Sequence, residues 1–370
     1  MTDIRFWVGF SLIPGIGRVR FQQLERHFGD LEQAWKAPTS ELRQAGLDRR
    51  AVESILTGRS RISLDEEMEK LERSRVKVLI WPDPAYPSRL KEIPDPPPLL
   101  YLRGTLLPED EVSLAVVGTR RATAYGREVA EGLVSDLVHS RITIVSGLAR
   151  GIDSVAHRTA LETGGRTIAV FGCGLDHIYP PENLKLAQAI QEQGALVSEY
   201  PLGTLPRAEN FPRRNRIMSG LALGVLVVEA GDASGALRTV EHALDQGREV
   251  FAVPGSILSP ASRGTNRLIQ EGAKLVRSAQ DILEELNLTM IPRQLEMKEL
   301  APADEPELAL LKLLSREPTH IDDLYRRCGL PVATVSGTLA VMELKGMVKQ
   351  VGGMNYVLVR EAQEAYGVRE

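Results

Sequence analysis

An α/β fold with a mostly parallel sheet, preceded by a helical region and followed by a small three-helix module, is predicted by three observations. Six short apolar runs, at residues 114–117, 142–145, 168–171, 196–198, 225–228 and 250–253, are separated by helix-length segments. Strands covered on both faces lose the polar alternation of a half-exposed sheet, so such runs indicate parallel βαβ units and a Rossmann-like domain. Second, a Pro-Gly-Ile-Gly turn precedes an amphipathic stretch in residues 12–29. Third, residues 306–360 read as three helices and then two short strands around Gly352-Gly353, the order of a winged helix.

In chain order, residues 1–75 form a helical, helix-hairpin-helix-like domain. Its first turn leads a helix with Val19, Leu24 and Phe28 near one face, and Gly46-Leu47 opens a looser second copy through Val52 and Leu56. Glycines in such a turn let backbone N–H groups approach a phosphate; the same turn also serves a purely packing or protein-contact role. Residues 76–110 are a connector with leading strands, because 82–98 holds seven prolines, too many for a helix. Residues 111–288 are the Rossmann-like domain, 289–305 an acidic linker and 306–370 the winged helix. Its third helix, 331–345, reads PVATVSGTLAVMELK and is nearly devoid of the Arg, Asn and Gln that read base edges, which favours packing or partner contact.

The 370-residue chain is 43% hydrophobic and 25% charged, enough for several packed domains. Its net charge is -4, yet residues 281–310 alone hold eight acids and two bases, so the rest is near +2 and leaves room for a basic groove. Two cysteines, Cys173 and Cys328, fall in different domains, which argues against a disulfide and for a reducing compartment. No signal-like N-terminus and no apolar run of membrane-spanning length is evident, so a cytoplasmic protein without membrane contact is expected.

In an open parallel sheet, ligands bind beyond the carboxyl ends of the strands. After the first apolar run come Gly118, Thr119, Arg120 and Arg121, a tight turn with a guanidinium suited to phosphate. After the second come Ser146, Gly147 and Arg150, glycine-bearing and opening a helix, with Asp153 the odd acid, best read as a cap on the turn. The third loop, Gly172-Cys173-Gly174, begins like a dinucleotide fingerprint but has His177 in place of the third glycine, so no nicotinamide or flavin is expected. The fourth leads into Arg207, Phe211, Arg213, Arg214, Asn215 and Arg216: guanidinium groups around one ring. Cations for phosphates beside an aromatic face suit unpaired nucleic acid. Helical spacing puts Arg213 and Arg216 on one face and Arg214 elsewhere, with one of the three an ion-pair partner. The fifth and sixth loops add Ser234 and Asn266. No ATP-binding glycine loop and no metal-ligand spacing of histidine and cysteine occurs, so no cofactor or metal is expected.

The segments VGTRRAT, SGLARGIDSVAH, FGCGLDHIYPPEN, SEYPLGTLPRAENFPRRNRIMSGL, VVEAGDASGALRT, GREVFAVPGS and RGTNRLIQEGA together resemble the DNA-processing protein A (DprA/Smf) family over residues 116–273. The resemblance implies a non-enzymatic protein that binds single-stranded DNA, forms a homodimer and loads the recombinase RecA during natural transformation and recombination. It places DNA contact on Gly118, Thr119 and Arg120, base stacking on Phe211, and a motif role on Arg214, Asn215 and Arg216. Some members carry a lysine where this chain has Ala208, leaving Arg207 as the substitute cation. An alternative is a nucleotide phosphoribohydrolase of the lysine-decarboxylase-like family, with Glu241 as acid and Arg238 as anchor, though the paired glycines of that family are absent.

Overall fold

A computed structural model describes residues 3–288, 305–315, 318–344, 347–351 and 353–358. The chain divides into two units, residues 1–286 and 287–370. In the first, the strands are β1 (Lys77–Ile80), β2 (Leu99–Gly104), β3 (Ser113–Val117), β4 (Thr143–Ser146), β5 (Thr167–Phe171), β6 (Ala195–Ser198), β7 (Gly224–Val227), β8 (Glu249–Ala252) and β9 (Lys274–Leu275). They form one nine-stranded sheet of order β1-β2-β6-β5-β4-β3-β7-β8-β9. All pairs from β6 to β9 are parallel, whereas β1 with β2 and β2 with β6 are antiparallel. Each apolar run read from the sequence coincides with one of β3 to β8 within a residue or so. Sequence direction reverses where β3 lies between β4 and β7. A crevice opens at such a switch point, beyond the strand ends.

The helical N-terminus and the sheet share one core. Trp7, Phe10, Phe21 and Leu24 belong to the same apolar cluster as Leu99 and Tyr101 of β2, Phe171 of β5 and Leu196 of β6. Leu100 and Leu102, alternating along β2, face the second cluster on the other side with Val145, Val170 and Val225. The connector with its proline-rich stretch packs onto this body: Trp81 lies edge-on to Trp7 at 5.8 Å, Tyr86 donates to the carbonyl of Pro97 at 2.7 Å, and Leu90 is fully buried. The N-terminal turns appear at Gly15 and Gly46, both with φ of 84°, and the helix after the first reaches the second, Gln23 donating to the carbonyl of Gly46 at 3.4 Å. Val19, expected on the buried face, is 59% exposed; Phe21 and Leu24, two and five residues on, fill that face.

One half-buried carboxyl in this junction gives the protein a pH dependence. Glu25 accepts from the Trp81 indole N–H at 2.8 Å, and burial pushes its pKa from 4.5 to about 7. Between those values the native protein holds a proton that the unfolded chain has lost, so stability falls as pH rises through that window. Glu25→Gln keeps the hydrogen bond without the charge. Its melting temperature is expected to exceed that of the wild type by a margin that grows from about pH 5 to about pH 8; a constant margin refutes the assignment.

In the second unit, helices Glu305–Leu311, Ile321–Cys328 and Val332–Leu344 pack with β10 (Thr319–His320), β11 (Val348–Gln350) and β12 (Asn355–Leu358), sheet order β10-β12-β11. This is a winged helix, with Leu310, Leu324, Val335, Leu339, Met342 and Tyr356 in its core. Residues 289–304, nearly all of the acidic linker, lie outside the described residues, as do Lys345 at the end of the expected third helix and Gly352. On that helix Val332, Ala333, Thr334, Ser336, Ala340, Val341 and Glu343 are exposed, a surface without a cation.

Candidate nucleic-acid interface

A cavity of about 780 Å³ opens at the switch point, lined by the loops after β3 and β7, the start of the helix Asn210–Leu221, and Tyr179. Its first wall is the turn Gly118–Arg121. Buried Glu229 fixes that turn: its carbonyl accepts from Thr119 N–H at 2.7 Å, and its carboxylate accepts from Thr123 N–H at 2.9 Å and Thr123 Oγ1–H at 2.7 Å. Gly151, with φ of 77°, lies against the same turn, where a Cβ would come within 2.7 Å of the Arg120 carbonyl carbon. Arg120 and Arg121 are left exposed.

Phe211 is half-buried, its ring 5.4 Å from that of Tyr179 at an interplanar angle of 35°. The Arg120 guanidinium carbon lies 5.9 Å from the Phe211 centroid, within cation–π range. Gly172 directly follows β5 beneath the ring; a Cβ there would sit 2.9 Å from Phe211 Cδ1. The glycine that opens the fingerprint-like third loop thus seats an aromatic ring.

The arginines of the fourth segment part company. Arg214 is 4% exposed and donates from Nη1 to the carbonyl of Gly147 at 2.8 Å and to that of Val170. Burial pulls its pKa down to about 10 against the opposing attraction of Asp153. Arg216 is the ion-pair partner: its two terminal nitrogens fork the Glu199 carboxylate at 2.8 and 2.7 Å, and Nε donates to Asp95. Arg213 is exposed, lies outside the main cavity, and lines a separate depression with Arg18 and His242. Asn215 lines the main cavity and donates to the carbonyl of Gly235 at 3.5 Å, bracing the fifth loop.

Several residues read as contacts are elsewhere. Ser146 is fully buried, donating to the Val116 carbonyl at 2.6 Å. Gly147 is buried beneath Arg214, and its N–H, with that of Ala149, donates to the Asp153 carboxylate at 3.1 and 3.3 Å. The protein's own acid therefore occupies the turn expected to take an anion. Arg150 pairs with Glu182 and Arg207 with Glu209, both outside the cavity lining. Asn266 both donates to and accepts from the backbone of Gly255, which ties it to the sixth loop.

Gly118, Thr119, Arg120, Arg121, Phe211, Arg214, Asn215 and Ser234 are thus brought together. Tyr179, Ala149 and Thr239 join them unforeseen, as does Arg238, named from the sequence only as the anchor of the hydrolase alternative; an aromatic in a strand-end loop was the available signal for Tyr179. Around the cavity stand four guanidiniums, of Arg120, Arg121, Arg214 and Arg238, against the single carboxylate of Asp153, and two adjacent rings. Such a surface attracts phosphates and offers a face to a flat base. Among the described residues no group of histidine, cysteine and acids suited to hold a metal is found, and no helix is long and apolar enough to cross a membrane.

A family model described as DNA recombination-mediator protein A matches residues 77–287, and one described as DprA winged helix domain matches 296–354. Protein Smf of Synechocystis is 35% identical, covering 96% of this chain and 98% of its own. The X-ray structure of DNA processing protein A from Streptococcus pneumoniae superposes with a TM-score of 0.68 at 37% identity, over 77% of this chain and 99% of that one. DNA processing protein A from Helicobacter pylori, whose structure concerns its single-stranded DNA binding mode, gives 0.52 at 31% identity over 58% and 96%.

Proposed function

This chain belongs to the DNA recombination-mediator protein A family, and on that premise we propose that it binds single-stranded DNA in the switch-point cavity and passes the strand to RecA. The observation that carries the reading is Phe211 beside Tyr179 with the Arg120 guanidinium over its face, in a cavity lined by four guanidiniums and one acid. A base stacks on Phe211, Arg120 and the Gly118-Thr119 backbone hold phosphates, and Arg214 and Asn215 keep the loops in place. The protein acts in the cytoplasm as a homodimer and carries out no bond-breaking step. The membership of the family, described by recombination mediation, supports the RecA role. Against the phosphoribohydrolase alternative, Glu241 lies outside the cavity lining and pairs with Arg238 at 2.7 Å on an exposed helix face.

Arg120→Ala tests the assignment through salt. Each phosphate neutralised on a single strand contributes roughly 0.7 to the slope of log affinity against log salt. The variant is expected to bind single-stranded DNA more weakly with a slope shallower by about that amount; unchanged affinity and slope in the folded variant refute the phosphate contact.

A further inference from the structure

The helix Asn210–Leu221 carries into the cavity a group that phosphates do not suit. Phe211, Asn215 and Met218 stand at positions i, i+4 and i+7, one stripe of a helix, and all three line the cavity. Phe211 is half-buried, Asn215 is 8% exposed and Met218 2%, so the stripe runs inward from the ring. Asn215 is the one side-chain amide in the lining. Its nitrogen lies 3.5 Å from the Gly235 carbonyl. A carbonyl only accepts, so the amide nitrogen stands on that side and the amide oxygen on the other. That oxygen accepts no hydrogen bond from the described residues, and it is not closed off from water as Thr239 Oγ1 is. Such an acceptor takes a donor from whatever fills the cavity. Phosphate oxygens only accept, and deoxyribose within a strand has no donor, so the group that meets Asn215 is a base. Adenine and cytosine donate through exocyclic amines, guanine and thymine through ring N–H groups, in every case on the edge used for Watson–Crick pairing.

We infer that Asn215, besides bracing the fifth loop, accepts a hydrogen bond from the Watson–Crick edge of the base stacked on Phe211 and so makes an unpaired base a condition of binding. The inference rests on the strand-binding reading above. In a duplex that edge is engaged with the opposite strand, whereas the phosphates are open in either form. Guanidiniums on phosphates therefore attract both forms, and the amide separates them. Because every base carries a donor on that edge, the contact selects for pairing state and leaves sequence nearly unread.

The test uses the full chain and two short oligothymidylates of one length, one unmodified and one methylated at N3 of every base. Thymine donates on that edge through N3–H alone, so methylation removes the donor and leaves the charge and the stacking face in place. The wild type is expected to bind the methylated strand about fivefold more weakly, the effect of one net hydrogen bond. Asn215→Leu, which keeps the branched shape of the amide without its acceptor, is expected to bind the two strands equally. A difference that survives in folded Asn215→Leu reports the bulk of the methyl group and overturns the inference. A strand of difluorotoluene nucleotides, which copy the shape of thymine without N3–H, decides the matter in the wild type alone. It is expected to bind as weakly as the methylated strand, and affinity equal to that of the unmodified strand overturns the hydrogen bond. Equal binding of the methylated and unmodified strands by the wild type also overturns it and leaves strand binding standing. Failure of the wild type to bind the unmodified strand overturns the strand-binding reading itself, and this inference with it.

Discussion

Replacing Arg214 by alanine is expected to cost about 3–5 kcal/mol of stability, the range for removing one partner from a buried charged network. Arg214 is 4% exposed, its guanidinium donates to the carbonyls of Gly147, just past β4, and Val170 in β5, and it lies near the buried Asp153, whose carboxyl burial drives upward and Arg214 draws back down. Truncation leaves those carbonyls unpaired, Asp153 without its counter-charge and a void beside Gly147. Arg214→Lys is expected to rescue little, since one ammonium on a flexible stem does not reproduce the planar fork. Chemical denaturation measures the loss; a decrease below about 1 kcal/mol, the range of an ordinary surface change, contradicts the structural role. Weakened DNA binding in such a variant therefore reports on folding rather than on a lost phosphate contact.

Phe211→Ala is expected to weaken single-stranded DNA binding by about 1–3 kcal/mol, the contribution of one base stacked on one ring, with little change in stability. The ring is only half-buried and leans on Tyr179 and on the floor made by Gly172. Phe211→Tyr, which keeps the π-face, is expected to retain most of the affinity. Equal binding by the alanine variant and the wild type removes Phe211 from the interface.

Much of this architecture was legible in the residues because strands buried on both faces must be apolar throughout, and β3 to β8 are. β1 and β2 were harder to read: they flank a proline-rich stretch and join the sheet antiparallel, and their place beside β6 depends on contacts about a hundred positions away, such as Tyr101 with Ser198. Among the candidate contacts, the turn Gly118–Arg121 and Phe211 follow from their position after strands. What charge type alone does not reveal is which guanidinium is buried. Arg216 meets Asp95, 121 positions earlier, and Arg214 finds the backbone carbonyls of Gly147 and Val170, more than forty positions away. Ser146 and Gly147 misled for a related reason: a glycine-bearing turn at a helix start attracts an anion, and here Asp153, six residues past Gly147, is that anion. Thr239 carries no local signal, since only burial distinguishes it from any helical threonine.

Competition between single-stranded and duplex DNA of matched length, followed as salt is raised, tests the central claim most directly. Stacking is not screened by salt, whereas phosphate attraction is. The account predicts that the single strand displaces duplex throughout and that its advantage persists at high salt, shrinking in Phe211→Ala. Duplex that competes equally, with both affinities vanishing together as salt rises, would contradict it.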